Sequence, residues 1–286
     1  MQAPNPPLLG PRFRGDEREY RRSERMPRFA ANLGYLFTDR PLLERIDAAA
    51  ACGFKAVELQ FPYDVPASAV RAALERNKLT VLGINTLRGD GPDDFGLGAV
   101  PGQERDFKAM FTKALDYITA AGGSAVHCLA GKVALEQRPA AERVFIDNLK
   151  AAADLAGVKN IDLLIEPINA RDRPNYFLNR VEHAADIVAK VGRPNVRVQF
   201  DFYHVQIVGG DLLHRLQQHL PVVGHLQCAA VPSRHEPDEG EVNYPGVFAA
   251  VDALGYQGWI GAEYRPRGHT EDGLGWGKAY GLSSPN

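Results

Sequence analysis

In the second half of the chain, four short apolar runs each finish on an oxygen-bearing side chain. They are Leu163-Leu164-Ile165-Glu166, Val196-Arg197-Val198-Gln199-Phe200-Asp201, Val222-Val223-Gly224-His225-Leu226-Gln227 and Trp259-Ile260-Gly261-Ala262-Glu263. Each run is apolar or β-branched and bounded by Pro, Gly or Asn, which predicts a buried strand. The intervals between runs are long enough for crossover helices. Parallel strands connected in this way suit a closed (β/α)8 barrel, in which the carboxyl ends of all strands open on one face. Glu166, Asp201, Gln227 and Glu263 are therefore expected to meet in one metal site.

The rest of the chain supports that architecture. From Pro27 onward, strand-like and helix-like segments alternate. Strands are expected at 28–33, 55–60, 80–85, 124–129 and 161–166, then in a run ending at Asp201, at 221–228 and at 258–263. Thr38-Asp39 is expected to cap the first helix, whose apolar positions Leu42, Leu43, Ile46 and Ala49 precede a stop at Gly53. Further helices are expected at 66–76, 103–121 and 138–156, after Asn179, and at 211–220 and 244–254. The Gly-rich stretch 88–102 is too long for a plain connection and is expected to cover the site. A doubly wound open sheet also alternates strands and helices, but no G-x-G-x-x-G or G-x-x-x-x-G-K-[ST] motif follows the first strand.

A single catalytic domain over residues 26–286 accounts for this pattern, since about 250 residues is a usual size for such a barrel. Residues 1–25 are Pro-rich, then charged, and lack apolar periodicity. They are expected to be a disordered extension preceding a biological start at Met26. The chain carries 33 Lys and Arg against 35 Asp and Glu, a net charge of −2, so no overall field favours nucleic acid or an anionic membrane. A small-molecule substrate is the expected partner, with a homo-oligomer left open. The cysteines Cys52, Cys128 and Cys228 are unclustered, which argues against a disulfide framework or a thiolate zinc site. With no stretch near the ~20 apolar residues that span a bilayer and no signal core, a cytoplasmic protein is expected.

Three carboxylates and an amide oxygen form a hard, negatively charged donor set that selects Mg2+ or Mn2+ over thiolate-seeking metals, although Co2+ and Zn2+ also bind such sites in vitro. Strand-end acids can instead cap helices or pair with arginines. Four at the same position of four consecutive strands argue for a shared ion, because buried unpaired carboxylates are costly. Two histidines fall at the same end. His204 lies three residues past Asp201 in the loop expected after that strand, and His127 lies near the end of the fourth strand. Each could bond a substrate hydroxyl, support a metal ligand or simply be a satisfied polar residue. His225 shares a face with Gln227, as a packing residue or as an orienting partner for the amide, and packing is favoured. Arg171, Arg173, Arg234, Arg265 and Arg267 fall in loops expected to overhang the mouth. Arg234, in the densest polar stretch, is the first choice to clamp a substrate carboxylate. Glu58 in the second strand is either an interior hydrogen-bonding group or part of a structural ion pair.

The motifs Leu164-Ile165-Glu166-Pro167-Ile168-Asn169, Phe200-Asp201-Phe202-Tyr203-His204-Val205-Gln206, His225-Leu226-Gln227, Arg234-His235-Glu236-Pro237-Asp238-Glu239-Gly240-Glu241-Val242-Asn243-Tyr244 and Ala262-Glu263-Tyr264-Arg265-Pro266 resemble the hydroxypyruvate isomerase family, within the xylose-isomerase-like TIM barrels. Related 2-oxo-tetronate isomerases share these motifs. The resemblance runs from about Pro27 to Tyr280 and leaves residues 1–25 without a counterpart. It implies that Glu166 and Glu263 shuttle a proton and that Glu166, Asp201, Gln227 and Glu263 ligate the metal. Sugar epimerases of the wider superfamily usually carry His where Gln227 stands, so this residue points to the isomerase branch. In those epimerases a His placed as His204 is, and an Arg in the loop after strand seven, contact substrate.

The expected reaction interconverts an α-hydroxy aldehyde and an α-hydroxy ketone bearing a carboxylate, for example hydroxypyruvate and tartronate semialdehyde, by proton transfer through an enediolate. A 2-oxo-tetronate isomerase and a sugar 3-epimerase are the alternatives within enzymes. A metal-dependent endonuclease calls for further His ligands and a basic groove, which are not visible in the sequence. A non-catalytic sugar-acid binder would hold substrate without exchanging its α-proton.

Overall fold

The computed structural model describes residues 27–285, so the expectations for residues 1–25 and for Met26 lie outside the described residues. Eight strands, β1 (Arg28–Asn32), β2 (Ala56–Leu59), β3 (Thr80–Asn85), β4 (Ala125–His127), β5 (Asp162–Ile165), β6 (Val196–Asp201), β7 (Val223–Cys228) and β8 (Trp259–Ala262), close in chain order. Every neighbouring pair is parallel, including β1 with β8. The helices α1 (Leu42–Ala51), α2 (Ala67–Asn77), α3 (Glu104–Ala121), α4 (Arg138–Gly157), α5 (Val181–Val191), α6 (Phe202–Val208), α7 (Leu212–His219) and α8 (Tyr244–Ala253) follow or lie between the strands. The architecture is the single (β/α)8 barrel expected from the sequence. Among the described residues, no helix is long and apolar enough to cross a membrane.

The core lies between strands and helices because each helix buries a stripe at helical spacing. In α3 that stripe is Phe107, Phe111, Ala114, Leu115 and Ile118, and the helix ends at Gly122, whose φ of 84° only glycine adopts at low cost. In α4, Phe145, Leu149, Ala152 and Ala156 play the same part. Outward-facing strand residues such as Val57, Leu59, Leu163, Ile165, Phe200 and Leu226 pack beneath these stripes. The alternate positions, Glu58, Gln199, Asp201, His225 and Gln227, are buried polar groups. Strand periodicity thus sends apolar side chains to the helices and polar ones to the barrel axis.

Three local features differ from the sequence reading. The first helix begins after Pro41, with 38 and 39 in a turn, so Thr38-Asp39 does not cap it; Pro41 supplies the extended backbone before Leu42. His204 lies in a helix, not a loop: α6 starts directly after β6, with the Asp201 side chain accepting the Tyr203 amide at 2.8 Å as its N-cap. The β-branched and aromatic run Phe202–Val208 hides this helix, because only the cap turns an apparent strand extension into a helical turn. A 3-10 segment, Thr270–Tyr280, was also not anticipated. Its glycines disguise a packing element that sets Trp276 and Tyr280 each 4.9 Å from Phe29.

Candidate active site

The carboxyl ends of β4 to β8 deliver the expected side chains to one buried centre. Glu166 follows β5, Asp201 ends β6, Gln227 sits opposite Asp201 on β7, and Glu263 follows β8. Potential ligand atoms of Glu166, Asp201, His204 and Glu263 lie within 4.8 Å of one another. His127, at the end of β4, faces the same centre, its Nδ1 3.5 Å from Glu166 Oε2. The cavity above is lined by Tyr35, Phe95, Asp172, Arg173, Arg234 and Arg265 together with His127, Glu166, His204 and Glu263. Phe95 comes from the Gly-rich segment 88–102, which folds over the mouth through Gly98 and Ala99 amides bonded to Leu129 and Ala130.

Each carboxylate is held differently. Glu263 Oε1 accepts from Gln60 at 2.8 Å and Asn32 at 3.1 Å, and its Oε2 takes the Arg234 guanidinium at 2.7 Å. Glu166 Oε2 accepts from Gln199 at 2.9 Å, whereas its Oε1 is buried without a partner among the described residues. Asp201 gives Oδ1 to the α6 cap, which leaves Oδ2 buried and likewise unpartnered. Burial pushes all three carboxyls up. The Glu166 carboxyl is held well above its usual range, with the charges of Glu263 and Asp201 adding to burial. Asp201 is pushed to about 8 by burial and then by Glu263, while the Glu263 shift is opposed by Arg234. Three acids this close cannot all ionise beside a single guanidinium. Two bare oxygens and an excess of negative charge are the conditions a hard divalent cation satisfies.

Hydrogen bonding sets His204 and Gln227 apart. Asn169 Oδ1 accepts the Asp172 amide at 2.8 Å, which turns the Asn169 NH2 toward Nδ1 of His204, 2.6 Å away. Nδ1 is therefore the acceptor, and the proton of neutral His204 sits on Nε2, 3.6 Å from Glu166 Oε1 and 3.7 Å from Asp201 Oδ2. Burial, reinforced by Arg234, holds this imidazole well below its ordinary value, so it stays neutral. An Nε2 that carries the proton has no lone pair for a metal, but it can donate to a substrate oxygen. The Gln227 amide, by contrast, presents Oε1 to Gln199 Nε2 at 2.7 Å, the same donor that reaches Glu166 Oε2. His127 complements His204. Its Nδ1 lies 3.2 Å from Asn85 Oδ1, and its Nε2 is buried without a partner among the described residues, with burial lowering its pKa to about 3.

Among the arginines, Arg234 reaches the centre, but its guanidinium is committed to Glu263 and, at 3.1 Å, to Asp172. It lies between the rings of Tyr35 and Tyr203, each 4.8 Å away. Arg267 is tied instead to Glu236, Asp238 and Glu239, and Arg171 is exposed. Arg173, stacked on Phe95 at 4.3 Å, and Arg265 line the mouth. His225 is more than a packing residue, since its Nε2 is 2.8 Å from Glu58 Oε1. Sequence reading gave no role to Asn32, Gln60, Asn169, Asp172 or Gln199. Gln199 had a signal, since it lies two residues before Asp201 on the same face of β6.

Comparison with known proteins places this geometry in a family. The family model described as a xylose isomerase-like TIM barrel matches residues 46–280. The 2-oxo-tetronate isomerase of Cupriavidus necator is 47% identical over 257 residues, covering 89% of this chain and 99% of that protein. The hydroxypyruvate isomerase of Escherichia coli is 38% identical over 260 residues, covering 89% and 100%. A crystal structure from Brucella melitensis, described as an AP endonuclease of family 2, superposes with a TM-score of 0.87 at 42% identity, over 89% of this chain and 99% of that one. The chain therefore belongs to the xylose isomerase-like TIM barrel family, on the branch that includes hydroxypyruvate isomerase and 2-oxo-tetronate isomerase, and is an isomerase enzyme.

Proposed function

We propose that the protein interconverts an α-hydroxy ketone and an α-hydroxy aldehyde that carry a carboxylate, hydroxypyruvate and tartronate semialdehyde being the preferred pair. It would do so with Mg2+ or Mn2+ held by Glu166, Asp201, Gln227 and Glu263. The observation that carries this reading is the convergence of three buried carboxyls, two of them with an unpartnered oxygen, at the mouth of the barrel. When bound, a divalent cation supplies positive charge against the oxyanion that develops as a proton leaves the carbon next to a carbonyl.

The chain's own residues divide the remaining work. Glu166 and Glu263 both bring a carboxyl to the centre, where one would remove the proton and the other return it at the neighbouring carbon. Such transfers contribute ~10²–10⁴-fold in rate. Arg234 holds Glu263 in place and keeps it more acidic than burial alone would. His204 donates from Nε2 to a substrate oxygen, while Nε2 of His127 accepts from a substrate hydroxyl. With Arg234 committed to two carboxylates, Arg173 and Arg265 are the guanidiniums left at the mouth for the substrate carboxylate. Phe95 and Tyr35 exclude water above the reacting carbons.

A four-carbon substrate is the second reading, favoured by the 47% identity to a protein named 2-oxo-tetronate isomerase. The net charge of −2 offers no overall field for a nucleic acid backbone, whereas Arg173 and Arg265 at the mouth suit a small anion. The test is a panel of short hydroxy-keto acids and ketoses with Mg2+ or Mn2+ in deuterated water, read by 13C NMR. Movement of the carbonyl to the adjacent carbon supports the isomerase. Inversion at a carbon whose carbonyl neighbour stays in place would show an epimerase instead.

A further inference from the structure

We propose that Glu58, one layer below the carboxylate cluster, is a positioning residue that locks the Gln227 amide with its oxygen facing the cation site. The inference rests on the reading of Gln227 as a metal ligand. Glu58 touches no proposed substrate position, and its part is to decide which end of an amide the site sees.

The niche for Glu58 is built by three strands. On β3 an extra residue sits opposite it, the register passing from Val57↔Val81 to Leu59↔Ile84. On β8 stands Gly261, where an added Cβ would overlap Glu58 Oε1 and come within 2.9 Å of Gln227 Cγ. On β7 stand His225 and Gln227. Into this niche Glu58 brings two oxygens that meet three donors: Gln227 Nε2 at 2.6 Å, His225 Nε2 at 2.8 Å and Asn32 Nδ2 at 3.0 Å.

The consequence is directional. A carboxylate oxygen accepts and an amide oxygen accepts, so turning the Gln227 amide over would set two acceptors against each other at 2.6 Å. The same turn would set its NH2 against the Gln199 NH2, which now donates to Gln227 Oε1 at 2.7 Å and to Glu166 Oε2 at 2.9 Å. Glu58 therefore fixes Gln227, and through the shared Asn32 it also touches the hydrogen-bond set of Glu263. A Gln ligand needs such a partner more than a carboxylate does, because only one of its two ends can bind a cation.

The test measures Mn2+ binding by electron paramagnetic resonance of the free ion, alongside KM for hydroxypyruvate at saturating Mn2+. Glu58→Gln, with folding checked by circular dichroism, is expected to raise the Mn2+ dissociation constant roughly 10- to 100-fold and leave KM within about twofold. Gly261→Ala, which displaces the same carboxylate without removing it, is expected to weaken Mn2+ in the same direction. The exchange Glu58→Gln with Gln227→Glu restores an amide-to-carboxylate bond with the carboxylate on the ligand side, and is expected to recover affinity relative to Glu58→Gln alone. Unchanged Mn2+ affinity in folded Glu58→Gln or in Gly261→Ala overturns the inference, as does a KM that rises in step with the dissociation constant. Asp201→Asn keeps the two levels apart. If that variant binds Mn2+ as the parent does, the cation site itself is misassigned. If it loses Mn2+ while Glu58→Gln does not, the positioning role alone fails.

Discussion

The Asn169 side chain donates to Nδ1 of His204 at 2.6 Å and its backbone amide points to the same nitrogen at 3.4 Å, which places the proton of the neutral ring on Nε2, in the centre of the site. Because Asn169 Oδ1 is occupied by the Asp172 amide, the donor cannot be turned, and His204 presents Nε2–H inward. A nitrogen-15 NMR spectrum of the protein should show His204 as the neutral Nε2–H tautomer throughout the range from pH 5 to 8. Asn169→Ala removes the shorter of the two donors to Nδ1 and leaves the backbone amide at 3.4 Å, so the selection is weakened. The substitution is expected to lower kcat/KM about tenfold, the scale of one lost hydrogen bond to a polar group.

Proton transfer is assigned to two carboxylates with unlike surroundings. Glu166→Gln and Glu263→Gln are each expected to reduce kcat by roughly 10²–10⁴-fold while the circular dichroism spectrum stays that of the parent. Near-parental turnover in either variant would remove that residue from the reaction.

The raised carboxyls couple the cation to pH. In the metal-free fold Asp201 titrates at about 8 against an ordinary value of 3.8, and Glu166 and Glu263 are displaced in the same direction. A group whose folded pKa is raised contributes stability below its unfolded value, near pH 4 here, and loses it as pH climbs through the folded value. Protons therefore compete with the cation at low pH, and Mn2+ affinity is expected to strengthen steadily from pH 6 to pH 8. Calorimetric titration in two buffers of different ionisation enthalpy should show proton release on binding.

Recognition of the substrate carboxylate is expected at Arg173. Arg173→Met should raise KM for hydroxypyruvate roughly 10- to 100-fold, the cost of a lost charge-assisted hydrogen bond, with kcat changed far less. Arg267→Met, whose partners are Glu236, Asp238 and Glu239, should leave KM unchanged.

Away from the site, Phe145 is fully buried between α4 and the Phe177 ring, 5.9 Å away. Phe145→Ala is expected to destabilise the protein by about 3–5 kcal/mol, measured by denaturant unfolding, because the rigid barrel around it cannot collapse into the space.

The barrel and the strand-end positions of the candidate ligands were legible in the sequence because both follow from local pattern. An apolar run of strand length fixes where β5 to β8 end, and Glu166, Asp201, Gln227 and Glu263 mark those ends. What was not legible depends on register across the barrel. Asn32 and Glu263 bond although they are 231 residues apart, and Glu58 and Gln227 although they are 169 apart. Neither spacing carries a local signal. The position of Arg234 near the mouth was legible, but its commitment to Glu263 and Asp172 appears only once the loops are folded. The helix carrying His204 was hidden because its cap, Asp201, is also a strand-end acid, so one side chain serves two structures.

The most direct measurement is anomalous diffraction at the manganese edge from a crystal soaked in Mn2+. The expected result is one strong peak contacted by oxygens of Glu166, Asp201, Gln227 and Glu263, with His204 Nε2 outside the coordination distance. A peak ligated through His204 in place of Gln227, or no peak among these carboxylates, would contradict the cation site on which the proposed isomerisation depends.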